Sequence, residues 1–209
     1  SRREPEAEEL YLFLIEEVTR MTKVDAGTGQ TEILSRYLDK DDFLDRYIRR
    51  DGSEEDCRLC PYYGKRWSCP PGLPHAYSYL EKYQSLCLVA LKVNYSQEVR
   101  GKAKDNPEYA DQIREEVYES AKRKLLMKLL ELEKKIPGSR TLGAGRCILC
   151  EHCTREEGKP CRHPELRRYS ITGFGLDFGK ILEEVFGLPL LWAADGLPEY
   201  DVAVAALFF

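Results

Sequence analysis

Histidine is scarce in this sequence, with three in 209 residues. No Ser/His/Asp arrangement is visible, and paired carboxylates cannot be assigned to acid–base roles. Long apolar runs are missing as well. None approaches the roughly 20 residues of a membrane helix, and the longest, Val202–Phe209, reads as a buried strand. An excess of either charge is also lacking: 32 basic residues meet 36 acidic ones, for a net charge of −4. That balance gives no global signal for nucleic acid. The charged start SRREPEAEEL has no apolar stretch of the signal-peptide kind. A cytoplasmic protein is therefore expected, with neither nucleic acid nor membrane as a partner. The chain starts at Ser1 rather than Met, which leaves a removed leader open. GFGLDFG (173–179) has glycines but lacks the preceding strand of a dinucleotide-binding fingerprint.

What the sequence does have is cysteine. There are eight, at Cys57, Cys60, Cys69, Cys87, Cys147, Cys150, Cys153 and Cys161. The hydrophobic fraction of 43% and the charged fraction of 33% describe a chain that can build a sizeable core. Such a chain does not depend on disulfide staples, so repeated C-x2-C units point to metal instead. Cys87 is the exception. It sits inside the apolar run SLCLVALKVNY (85–95) and reads as a small core residue.

The second cysteine segment, RCILCEHCTREEGKPCRHP, is spaced C-x2-C-x2-C-x7-C. Three thiols at that spacing do not share one helix face. On a looped backbone they converge on a cubic object, as in low-potential ferredoxins, where a further cysteine followed by Pro completes a [4Fe–4S] cluster. Cys161 is the nearby fourth thiol, but it comes after seven intervening residues and no Pro follows it. The first segment, CRLCPYYGKRWSCPP, supplies Cys57, Cys60 and Cys69, and Cys69 does have the following Pro. Ligation by Cys147, Cys150, Cys153 and Cys161, or a crossed set completed by Cys69, both fit. In the uncrossed case Cys57, Cys60 and Cys69 form a three-thiol site with one open metal position, which His75 or water would complete. Structural zinc is the competing reading, with Cys57/Cys60 and Cys147/Cys150 as two C-x2-C pairs and His152 and His163 as spare ligands. Zinc leaves Cys69, Cys153 and Cys161 unexplained unless a second ion binds. Both segments are locally basic. Arg58, Lys65 and Arg66 lie between Cys57 and Cys69 without a carboxylate, and seven basic residues face four acidic ones between Arg140 and Arg168. Arg146, Arg155, Lys159 and Arg162 near a cluster would favour its reduced state.

The rest of the chain reads as an α+β fold. Leu10, Leu14, Val18 and Met21 make one apolar stripe of a helix over 4–22, a Gly-Thr-Gly turn follows near residue 28, and a second helix is expected over 32–49. Prolines 70, 71 and 74 exclude a regular helix in the first cysteine loop. Asn106-Pro107 starts a long helix near 107–136, with a stripe running from Ile113 through Val117, Leu125 and Leu132 to Ile136. A short helix over 175–187 is capped by Asp177, and strands are expected at 85–95, 188–194 and 201–209. The expectation is a small, mostly antiparallel sheet packed with about four helices and carrying two cysteine-rich metal-binding loops. Residues 1–50 form an N-terminal helical segment and residues 51–209 the cysteine-rich domain.

CRLCPYYGKRWSCPP, then GAGRCILCEHCTREEGKPCRHP, then SITGFGLD resembles the family called predicted metal-binding protein, domain of unknown function 2284. The resemblance runs from about Cys57 to the C-terminus. It implies metal binding at Cys57, Cys60, Cys69, Cys147, Cys150, Cys153 and Cys161, with iron–sulfur the expected form, in mainly anaerobic prokaryotes. It supplies no reaction. Three functions follow as expectations. One is electron transfer to a redox partner protein through one or two [4Fe–4S] clusters. Another is an enzyme whose three-thiol site acts on a small anionic substrate positioned by Lys65, Arg66 or Arg162. The last is a zinc-stapled interaction module. Oligomeric state is left open.

Overall fold

The computed structural model describes residues 4–19, 29–49, 54–193 and 195–209. Its strands are β1 (Gly29–Asp39), β2 (Ser85–Tyr95), β3 (Arg140–Leu142) and β4 (Tyr200–Phe208). They form one sheet in the order β1-β2-β4-β3, with every pairing antiparallel. The fold is α+β, as the sequence indicates.

The sheet is covered on both faces. Along β2, Leu86, Leu88 and Ala90 enter one core with Phe43, Leu80, Phe174 and Leu182. The alternate residues Cys87, Val89 and Leu91 enter a second core with Leu14, Leu125, Leu129 and Leu132. β4 splits in the same way, with Val204 and Phe208 on the first face and Ala205 and Leu207 on the second. Strands buried on both sides lose the polar half of their alternation. That is why both read as unbroken apolar runs. Cys87 is a core residue, and burial pushes its thiol up to about 12.

The second core is covered by the long helix, which runs without a break for 29 residues. It comprises Pro107–Ile113, a wider π-type segment Arg114–Glu119 and Ser120–Lys135. The Asn106 side chain accepts from the Tyr109 amide at 3.2 Å, and Pro107 occupies the first turn, where its missing N–H costs nothing. The N-terminal helix Glu4–Thr19 joins this face through Leu14 and a 2.6 Å ion pair from Lys128 to Glu17. Met21 and the turn near residue 28 lie outside the described residues.

Two expectations are corrected. Residues 29–39 are an edge strand in full register with β2, and only Lys40–Tyr47 is helical. Leu34 and Leu38 are four apart, a spacing that serves a helix face and a strand face equally, and both pack on the first core. Asp39 then caps the helix by accepting from the amides of Asp41 and Asp42. Residues 188–193 form no strand. Gly187, left-handed at φ 65°, ends the preceding turn, and the Pro189 carbonyl is taken by the Tyr200 hydroxyl. Leu188, Leu190 and Leu191 pack on the first core without a ladder.

Candidate metal centre

The two cysteine segments meet at one end of the sheet. β3 ends at Leu142, and its continuation is closed at the base by two bonds: the Gly143 amide donates to the Tyr169 carbonyl at 2.8 Å, and the Ile171 amide to the Gly143 carbonyl at 3.0 Å. The loop between carries four cysteines. Ser68 ties it to the first loop, for its hydroxyl accepts from the Cys147 amide at 2.8 Å and its carbonyl accepts from the Ser170 amide at 2.9 Å. Arg155 does more. Its guanidinium donates to the carbonyls of Arg66, Cys69 and Pro71 at 2.7, 2.7 and 2.6 Å. Trp67 donates in return to the Lys159 carbonyl at 3.0 Å. Arg168 anchors the base to the long helix through both oxygens of Glu133, each at 2.9 Å.

Cys147, Cys150, Cys153 and Cys161 line one narrow pocket. Cys147 sits within reach of the charge of the other three, which, after burial as the larger cause, pushes its thiol up. The pocket is also lined by Arg66, Arg162, Arg167 and His163, and no carboxylate is among its walls. The His163 amide points at the Cys161 sulfur at 3.4 Å. Arg66 is 7% exposed, and only its Nη2 has a partner, the Glu151 carbonyl at 3.1 Å. Its Nε and Nη1 are buried with no hydrogen-bond partner among the described residues. An unpaired buried guanidinium is costly, so these donors point to a missing anion.

Cys57, Cys60 and Cys69 form a separate group. The short helix Glu55–Arg58 carries Cys57, and the following turn brings the Cys60 amide to the Cys57 carbonyl at 3.0 Å. Burial, then the charges of Cys69 and Cys60, push the Cys57 thiol up to about 11. Burial also raises Cys69, against the Ser68 hydroxyl and the charges of Arg155 and Arg66. Buried thiols of this kind ionise when a metal replaces their protons. Cys57 and Cys60 open on a cavity of about 880 Å³. Among the described residues, no three His, Cys, Asp or Glu side chains are gathered closely enough to hold a single metal ion.

The family described as Predicted metal-binding protein (DUF2284) matches residues 48–207. The chain belongs to that family. No curated protein and no solved structure matches it. The DUF2284 match takes in both cysteine segments and β2 to β4, and it leaves out the N-terminal helix and β1.

Within this DUF2284 chain several expected neighbours are elsewhere. His75 lines a different cavity with Leu73, Pro74 and Gly173, whose walls include none of the three thiols, and stacks on Tyr77. Arg66 and Arg162 line the four-thiol pocket rather than the three-thiol cavity. His152 is exposed, and its carbonyl accepts from Arg162 at 2.7 Å. Tyr62 carries two guanidinium groups on its ring, Arg146 at 4.6 Å and Arg66 at 5.5 Å. Asp177 caps its helix by accepting from the Lys180 amide at 3.0 Å.

Sequence reasoning missed the other polar wall of the large cavity. Arg114, Tyr118 and Lys122 line it from the long helix. They fall four residues apart beside the apolar stripe, which was the available signal. The π-type segment widens the helix there, as such segments often do at functional sites.

Proposed function

We propose that this protein holds a [4Fe–4S] cluster on Cys147, Cys150, Cys153 and Cys161 and exchanges electrons with a partner protein. The observation that carries this reading is the buried Arg66, whose Nε and Nη1 lack partners beside four thiols. Four thiolates around a cluster make an anionic body, and that is the charge Arg66 lacks. The donor set fits: four thiols share one pocket with cations and no carboxylate. When bound, the cluster supplies a reversible single electron.

The chain's own residues supply the rest. Arg66, Arg162 and Arg167 favour the more negative, reduced state and so raise the potential. Trp67 and Leu149 line the pocket and keep water from it. The His163 amide, directed at the Cys161 sulfur, helps hold that side chain in the pocket. The exposed Arg162 suits an acidic partner surface, where charge mainly speeds encounter.

Anaerobic purification, iron and sulfide analysis, and a visible spectrum before and after dithionite test this. The expected result is a brown protein with a broad band near roughly 400 nm that bleaches on reduction. A colourless protein, purified without oxygen and carrying stoichiometric zinc, would overturn it.

A further inference from the structure

The cavity beside Cys57 and Cys60 is a built space rather than a surface dent. Its volume of about 880 Å³ falls within the roughly 300–1,000 Å³ usual for small-molecule sites. One wall is apolar, with Leu176, Val202, Val204, Leu190 and Leu191. At the rim Leu59 and Trp192 stay 88% and 86% exposed, the largest uncovered apolar groups among the described residues. The lining also carries charge: Arg49, Arg114 and Lys122, with Asp56 and Asp201.

The pairing of these charges decides which of them is left for a ligand. Arg49 is held by Asp56 and Asp177, and Arg114 by Asp201 and Asp111. Lys122 shares its one carboxylate. Glu119 accepts from Lys122 at 3.1 Å through each oxygen, and Arg146 lies 3.5 Å from the same group. Two cations thus meet one acid at a lysine that is 7% exposed and lines the cavity. Surplus positive charge in a low-dielectric wall is a recognition element for an anion.

We propose that this cavity binds a small organic acid, its carboxylate at Lys122 and its apolar body against Leu190, Leu191 and Trp192. The acid would share the cavity with the Cys57 and Cys60 thiols, which line it at the first cysteine loop. This goes beyond the electron-transfer reading and does not rest on it.

Titration calorimetry of the anaerobically purified protein with 3-phenylpropionate, and with the neutral 3-phenylpropan-1-ol as control, tests the proposal. The acid should bind saturably and about tenfold tighter than the alcohol, the worth of one charge-assisted hydrogen bond. Lys122→Met should bring the two ligands to about equal affinity. Leu190→Glu, which puts a carboxylate into a half-buried wall position, should weaken the acid by about tenfold or more and does not disturb Lys122. Circular dichroism and metal content verify that each variant is folded and loaded. Absence of saturable heat, equal affinity for acid and alcohol in the unaltered protein, or an unchanged affinity in a folded Leu190→Glu protein would overturn the proposal. A protein that carries zinc yet binds the acid would overturn the electron-transfer reading and leave this one standing.

Discussion

Arg66 shows how much a single side chain can report about a missing neighbour. Its Nη2 is satisfied, its Nε and Nη1 are buried without a partner among the described residues, and the residue as a whole is nearly closed to solvent. Replacement by methionine keeps the volume and removes the charge, so its effect depends on what fills the pocket. In metal-free protein, Arg66→Met should be neutral or stabilising, because an uncompensated buried charge is removed. In loaded protein it should destabilise, because a charge pair is broken. Denaturant unfolding of both forms gives the two signs, and the same sign in both would remove the argument for an anion. The cluster's midpoint potential should fall in the variant, by about 59 mV for each 1.4 kcal/mol of lost charge stabilisation. Redox titration checks this. The seven clustered thiols were legible in the sequence because each group is local and tightly spaced. Arg66 was legible only as part of a basic segment, since its place in the four-thiol pocket and its bond to the distant Glu151 carbonyl depend on the second loop. Lys159, grouped in the sequence with Arg146, Arg155 and Arg162, is a surface residue paired to Glu157.

At the scale of elements, the long helix does two jobs. Its apolar stripe covers the sheet, and Glu133 near its end holds the base of the second cysteine loop. Glu133 accepts from Arg168 through both oxygens and from the Thr141 amide at 3.0 Å. Burial alone would raise this carboxyl, but the Arg168 and Thr141 bonds together hold it below its ordinary value. A lowered folded value means stability that is present above the unfolded value and lost as pH falls through the folded one. Glu133→Gln leaves Arg168 buried without its charge partner and should cost about 3–5 kcal/mol at neutral pH. As pH drops below about 4.3, the ordinary value for glutamate, and on through the lowered folded value, the wild type loses its carboxylate contribution, so the gap between the two proteins should narrow. Unfolding midpoints at neutral and acid pH read this directly. The helix itself was legible from Asn106-Pro107 and its periodic stripe. Its π-type segment was not, because a one-residue widening leaves no mark on an apolar pattern with Val117 still in place. β1 was mistaken for helix because Leu34 and Leu38 satisfy both periods, and its pairing with β2 depends on residues 46 to 66 positions away. Residues 188–193 have strand-like composition, but Pro189 and the left-handed Gly187 turn them away from the ladder.

The whole molecule brings its two cysteine loops together through Ser68, Trp67 and Arg66, and above all through one guanidinium that makes three of the bonds. Arg155 lies in the second loop and binds three carbonyls of the first, while its plane covers the Trp67 ring at 5.1 Å. The large cavity is a second product of this assembly. Its walls come from the first loop, the long helix, the segment before β4 and β4 itself, so no local stretch of sequence announces it. If the loops stand as one unit, loosening the second must expose the thiols of the first. Arg155→Lys keeps the charge but replaces a planar fork by a point donor, which cannot serve three carbonyls in those directions. It should behave nearly like Arg155→Ala, and each lost bond is worth about 1.5–3 kcal/mol because its donor is charged. Alkylation of native protein, read by mass spectrometry, should then label the half-buried Cys57 and Cys69 at least about tenfold faster than in the unaltered chain, since 1.4 kcal/mol of opening energy is already that factor, whereas Cys60, exposed at the outset, should change little. Cys87, buried in β2 and held by the sheet rather than the loops, should stay unlabelled and serves as the internal reference. Faster labelling of Cys147, Cys150, Cys153 and Cys161 alone would show instead that each loop holds its own shape, and that Arg155 fastens two independent sites.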